Sequence, residues 1–240
     1  MARKSTRRTA PKSARTSSAR TPAAPTTEHE RIVAAFLELL AEQSFESIGV
    51  ADVAARAGVT LAQLRGEFGS TIAILAAHMK AVDRAVLAED FSDMEEEPPR
   101  ERLFDALMRR LEILAPHRTS VRSLLRSVRR NPPLALALNA LAVRSQQWMM
   151  SAAGIEASGP RGAIRAQGLA MLFASVLRTW VRDDDPGQAR TMAALDRALA
   201  RGQRFAGLLD DLCYIPSRIC RLRPRRRRRD EDESEEPEAA

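Results

Sequence analysis

The stretch from Gly49 to Phe68 reads GVADVAARAGVTLAQLRGEF, and it decides the fold. Val50, Val53, Ala54 and Ala57 fall at i, i+3, i+4 and i+7, which places one apolar stripe on a two-turn helix. Gly58 stands just past the last of them, where a left-handed backbone is easiest for glycine, and Thr60 is a good N-cap for the next helical segment. Leu64 and Phe68 then share a face on a second short helix. Helix, glycine-containing turn and helix is the layout in which a second helix enters the DNA major groove. An ordinary helical hairpin has the same spacing, so both readings stand at this point.

The flanks narrow the choice. Between Glu28 and Glu42, Ile32, Ala35, Phe36, Leu39 and Leu40 lie on one side of a four-turn helix, with Glu38 and Glu42 on the other. Phe45 and Ile48, in the link after this helix, are available to close a small core. After Gly69-Ser70 a long helix begins, whose Ile72, Leu75, Met79, Val82 and Val86 alternate steps of three and four in a steady apolar seam.

Three helices and a long fourth with this turn resemble the DNA-binding domain of the tetracycline-repressor (TetR) family over about residues 28 to 90. Carrying the resemblance are Phe36, Leu39, Leu40 and Phe45, the run from Asp52 to Thr60, then Leu64, Phe68, Ser70 and Leu75. It implies an all-α protein in which a three-helix helix-turn-helix domain is joined by a long helix to a C-terminal helical bundle. It also implies a cytoplasmic bacterial regulator, a repressor, that binds double-stranded DNA as a homodimer. On the matching positions, DNA contacts fall to Gly49, Thr60, Leu61, Ala62, Gln63, Arg65, Ser70 and Thr71. Gln63 suits adenine, Leu61 a thymine methyl, and Arg65 either a phosphate or a guanine.

This chain departs from the family on that face. Members usually close the recognition segment with Leu-Tyr-x-His/Tyr-Phe and a lysine shortly after. Here the run is Leu64-Arg65-Gly66-Glu67-Phe68, with Thr71 three residues further on. Glu67 repels phosphate and Thr71 lacks the lysine charge. Residues 28 to 87 hold five basic and eight acidic side chains, a poor electrostatic footprint for DNA.

Charge elsewhere compensates. Residues 1 to 27 hold seven Lys/Arg and no carboxylate, whereas 28 to 217 carry 23 basic and 24 acidic groups. The net charge of +7 therefore belongs to the tails. The opening residues, low in complexity and almost free of large apolar side chains, read as a disordered basic arm, able to neutralise phosphates and equally consistent with a solubilising tail. Residues 214 to 240 read as a disordered tail, Arg-rich and then acidic, whose opposite blocks screen each other.

Between the helix-turn-helix domain and the rest, Glu95-Glu96-Glu97-Pro98-Pro99 marks a boundary, and residues 99 to 213 read as a ligand-binding and dimerisation domain. Leu103, Phe104, Leu107, Met108, Leu111 and Leu114 form one helical face, ended by Ala115-Pro116-His117. Val121, Leu124, Leu125 and Val128 form the next, with Arg122, Arg126, Arg129 and Arg130 outside. Asn131-Pro132 starts a helix from Leu134 to Ala153 that is apolar nearly all round and so belongs mid-bundle. Gly154 to Gly162 reads as a loop, Ile164 to Val181 as a helix in which Gly168 permits close approach, and Asp183 to Asp185 as an acidic cap before a last helix.

The resemblance carries expectations for this second part too. The central helices around Met108, Leu138, Trp148, Met149 and Phe173 enclose an effector cavity for a small apolar molecule, plain core packing being the other reading of those residues. Leu169, Val176, Trp180, Leu195 and Leu199 pair two copies of the chain. Trp180 to Pro186 and Ala194 to Arg197 also resemble the tryptophan, acidic turn and Leu-Asp-Arg of ubiquinone-biosynthesis accessory proteins, which hold lipid in a TetR-like fold without using it to bind DNA.

Other classes find no support. Aromatic residues are only 4% of the chain, with few β-branched runs, which disfavours a β fold. No apolar run approaches the roughly 20 residues of a membrane span, no stable membrane insertion is expected, and the N-terminus has no secretory h-region. Cys213 and Cys220 have no neighbouring histidine, so no metal site is expected and free thiols are the default. His29, His78 and His117 are scattered, and no phosphate loop or paired nucleophile and base is present, so neither a cofactor nor an enzyme is expected.

Overall fold

The computed structural model describes residues 27–88 and 96–214, with side chains to residue 204. The expected basic arm before residue 27, the residues just before Glu96, the acidic tail and the side chains of Phe205, Leu209, Leu212 and Cys213 lie outside the described residues. The described part is all-helical: α1 (Glu28–Glu42), α2 (Val50–Ala57), α3 (Leu61–Glu67), α4 (Thr71–Leu87), α5 (Pro99–Leu114), α6 (Arg118–Val128), α7 (Pro132–Ala152), α8 (Gly159–Trp180) and α9 (Ala189–Tyr214).

Helix ends obey the local chemistry of the sequence. Thr27 caps α1, its hydroxyl accepting from Glu30 N–H at 3.1 Å while its own N–H donates to Glu30 at 3.2 Å. Gly58 closes α2 at φ 64°, ψ 39°, and Val59 N–H reaches back to Ala54 O at 3.0 Å. That is the left-handed exit a glycine makes without strain. Asn131 caps α7 by accepting from Leu134 N–H at 3.0 Å, with Pro132 in the first turn.

Two apolar cores result. The head core gathers Ile32, Phe36 and Leu40 of α1 with Val53, Leu64, Phe68, Ile74 and Leu75. The body core gathers Leu107 and Leu111 of α5, Met149 of α7, Phe173 and Trp180 of α8, and Leu195 of α9. α4 belongs to both, burying Ile74 and Leu75 in the head and Val82 and Val86 in the body. Its seam of alternating threes and fours thus ties head to body.

Four helical faces differ from expectation. Val50 is 44% exposed because it opens the first turn of α2, and burial begins at Val53. α7 is not buried all round, since Leu136 (73%) and Trp148 (57%) face outward. α8 starts at Gly159, inside the expected loop, and the tight glycine is Gly162. A Cβ on Gly162 would fall on the Ala157 carbonyl, whereas a Cβ on Gly168 would meet open space. On α6, Ser120, Ser123 and Ser127 are buried along with Leu124.

Candidate nucleic-acid interface and cavity

Thr60 caps α3 and fixes its first turn outward. Its hydroxyl accepts from Gln63 N–H at 3.2 Å, and its own N–H donates to Gln63 Oε1 at 2.8 Å. Leu64 and Phe68 anchor the helix inward, leaving Thr60, Leu61, Ala62, Gln63 and Arg65 on the exposed side, Leu61 at 55%. Gly49 precedes α2 and donates its N–H to Asp52 at 3.0 Å, while Ser70 caps α4 by accepting from Ala73 N–H at 3.2 Å. Thr71 is the first, half-buried residue of α4. The eight expected contact residues thus sit on α3 or at the starts of α2 and α4.

Several of them are already engaged. Gln63 uses Oε1 in the cap of α3 and donates Nε2–H to Glu28 at 2.7 Å, so both halves of its amide are occupied. Glu67 lies 3.0 Å from His29 Nδ1, and the His29 ring packs on Phe68 at 4.6 Å. Arg65 reaches only the Gly69 carbonyl, at 3.4 Å, and remains exposed. The start of α1 therefore clips α3, through contacts 35 and 38 positions apart in sequence that no local spacing announces.

A cavity of about 370 Å³ lies where head meets body, within the range of small-molecule sites (about 300–1,000 Å³). Leu37 and Leu40 of α1, Leu75 and Met79 of α4, Leu124 of α6 and Phe173 of α8 supply apolar wall. Leu138 and Phe173 are the expected pocket residues that line it. Met108, Trp148 and Met149 do not. Met149 is fully buried in the body core, Met108 packs against that core, and Trp148 stands on the outer face of α7 beside a surface depression. Periodicity on a helix apolar nearly all round does not say which face meets a void.

Two sets of polar groups meet at this wall, one around Arg110 and one around His78. Arg110, 4% exposed, pairs with Asp83, which also accepts from Ser145 Oγ at 2.7 Å. Arg110 lies 5.6 Å from the centre of the Phe173 ring. His78 meets His117 edge to face at 5.2 Å. Burial first, then the nearby His117 and Arg110, pushes the His78 pKa down to about 4, so its ring is neutral at pH 7.

α6 links this cavity to the head. One side carries Val121, Leu124 and Leu125 into the wall. On another, Ser120 Oγ donates to Leu37 O at 2.7 Å, Ser123 Oγ donates to Gln43 O at 2.9 Å, and Ser127 Oγ accepts from Phe45 N–H at 3.1 Å. At the body end Arg118 donates to Trp180 O (2.7 Å) and Asp183 O (2.8 Å), and Arg122 to Val181 O at 3.1 Å. Periodicity puts Arg122 on a solvated face; it instead pairs with a carbonyl at the end of α8. The serine seam is silent in the sequence because serines in a helix carry no hydrophobic signal, although their i, i+3, i+7 spacing is one face.

The five residues expected at a dimer interface are buried within the chain itself. Val176, Trp180 and Leu195 are at most 1% exposed and sit in the body core, and Leu169 (7%) and Leu199 (5%) reach the surface only at the edge of a groove. The strongest apolar periodicity marks the face that packs inside the chain, and the outward side of α8 carries Ile164, Gly168, Met171 and Ser175. Ile164 and Met171 are 53% and 66% exposed.

A helix-turn-helix head is fused through α4 and α6 to an all-helical body. Among solved structures, a TetR transcriptional regulator from Nitrosomonas europaea is similar at TM-score 0.57 and 24% identity, covering 73% of this chain and 97% of that one. One from Rhodococcus sp. RHA1 is similar at TM-score 0.53 and 22% identity, covering 73% of this chain and 94% of that one. The protein has the TetR-like all-α fold. No family model and no curated protein matches the sequence. No described helix is long and apolar enough to cross a membrane, and no described cluster of His, Cys, Asp or Glu has the grouping of a metal site.

Proposed function

We propose that the protein is a homodimeric, non-enzymatic transcriptional repressor whose affinity for double-stranded DNA is set by a small, mainly apolar effector. The observation that carries this reading is the shared wall of the cavity, since Leu37 and Leu40 of the head and Phe173 of the body border the same space. A molecule bound there touches the element that holds the recognition helix, so it can favour one head orientation over another. Residues 28–90 act as the reading head, 99–213 as the effector and dimerisation body, and the basic arm supplies most of the counterion release. Arg65, Leu61 and Ala62 face the groove, and Gln63 reads a base only on releasing Glu28. Two copies meet through the outward side of α8, around Ile164, Gly168, Met171 and Ser175.

A second reading, lipid holding without specific DNA binding, is favoured by the occupied amide of Gln63 and by Glu28 and Glu67 beside it. Binding to random-sequence and genomic DNA pools over a salt series separates the two, using the full chain and a chain lacking residues 1–27. The regulator reading expects a pseudo-palindromic site that is still enriched, more weakly, without the arm. Purely arm-dependent, non-specific binding that vanishes above about 0.15 M salt overturns it in favour of lipid holding.

A further inference from the structure

We propose that Glu28 decides which bases α3 can read, by holding the Gln63 side chain shut against the protein itself. This rests on the regulator reading and names the residue that sets its sequence preference. Gln63 is held at both ends of its amide. Its Oε1 accepts from Thr60 N–H at 2.8 Å and from the Thr60 hydroxyl at 2.9 Å, and its Nε2 donates to Glu28 Oε1 at 2.7 Å. Glutamine reads adenine with one acceptor and one donor together, on N6 and N7. With both lone pairs of Oε1 taken, Gln63 keeps a single Nε2 hydrogen, and one donor alone does not tell the N7 of adenine from that of guanine. Arg65 is the contrast. It reaches the Gly69 carbonyl at 3.4 Å and has no other partner among the described residues.

Magnitudes make this latch matter. A paired adenine contact is worth about fivefold to 150-fold in discrimination. A hydrogen bond to a charged group is worth about tenfold to 150-fold, toward the lower figure at an exposed pair such as Glu28 and Gln63. The two are of one size, so what Gln63 gains on adenine it loses on leaving Glu28 and the α3 cap. Leaving also strips the Glu28 carboxylate of a partner beside the helix that approaches DNA, where phosphates repel it. Its other neighbour, Arg31, stands 3.8 Å away on the next turn of α1. Glu28 is the first residue of α1, but the cap of that helix is made by Thr27 and Glu30. Removing the Glu28 side chain therefore frees Gln63 and leaves the start of α1 in place.

Selection from a random-sequence DNA pool by the full-length protein, Glu28→Gln and Glu28→Ala tests this. Both substitutions take the same negative charge from the DNA side, but glutamine keeps a carbonyl oxygen that accepts from Gln63 and alanine does not. Expected is tighter binding to all sequences alike in both variants. In Glu28→Ala alone, a new adenine requirement should appear at one position of each half-site, worth at least about fivefold against the other bases. On that site Gln63→Ala should cost at least about fivefold more in the Glu28→Ala background than in the unmodified chain. An adenine requirement already present in the unmodified chain and lost in Gln63→Ala overturns the inference. So does the same new requirement in Glu28→Gln, or its absence from both variants. In each of those cases an enriched pseudo-palindromic site still upholds the regulator reading, so only the role of Glu28 falls. No enriched site with any of the proteins overturns the regulator reading and the role of Glu28 with it.

Discussion

Gly162 is the residue at which a single methyl group meets backbone. Its Cβ would land on the carbonyl of Ala157, which turns the chain into α8 and cannot swing aside as a long side chain can. Gly162→Ala should therefore destabilise the protein by about 1 to 3 kcal/mol, read as a lower urea midpoint, with Gly168→Ala neutral or better. His78 makes stability depend on pH. Its folded pKa of about 4 lies below the ordinary 6.5, so between those values the unfolded chain binds a proton that the folded chain does not. Stability should be full above pH 6.5 and fall toward pH 4 by up to about 3 kcal/mol. Urea midpoints at pH 7 and pH 5 measure it, and His78→Leu should flatten the dependence. Asp183 acts in a different range. Hydrogen bonds from Thr191, its hydroxyl at 2.6 Å and its N–H at 2.9 Å, hold the carboxyl below its ordinary value, so its contribution is present at neutral pH and lost only in stronger acid.

Among the elements, α6 is the one whose two ends hold different parts of the molecule. Its serines grip the end of α1 and the turn at Phe45, its arginines grip the end of α8, and its apolar side walls the cavity. Ser123→Ala removes the hydroxyl that pairs the Gln43 carbonyl and should cost about 1 to 3 kcal/mol. If α6 couples cavity to head, Ser123→Ala should also weaken the effect of a bound ligand on DNA affinity, while ligand affinity stays within about twofold. Paired titrations of ligand and DNA in the variant check both, and an unchanged ligand effect removes α6 from the coupling. The α3 element shows a matching division of labour. Leu64 and Phe68 are legible as its inner face because they are four apart, and both are buried. The engagement of its outer Gln63 by Glu28 is not legible, because it joins segments far apart in sequence.

For the whole molecule the testable quantity is the proposed pairing of two copies through the outward side of α8. Leu169, Val176, Trp180, Leu195 and Leu199 serve the chain's own core, so truncating them should unfold the body rather than change its oligomeric state alone. Met171→Arg places a charge on the outward side of α8 without touching that core. Sedimentation should show the dimer dissociating while the stability of the monomer, from urea unfolding, stays within about 0.5 kcal/mol. A dimer that survives the charge puts the contact elsewhere.

The amino-acid sequence by itself determined the all-α fold, the helix-turn-helix, the caps at Thr60 and Asn131, and the glycine exit at Gly58. These are local matters of period and capping, written within a few residues of one another. Tertiary structure alone decided which face of each amphipathic helix meets a neighbour and which meets a void. That choice moved Trp148 out of the pocket, Trp180 into the core, and Arg110 with Gln146 into the cavity wall. Several faces of α7 and α8 are apolar enough to be buried, and only the packing of helices distant in sequence selects among them.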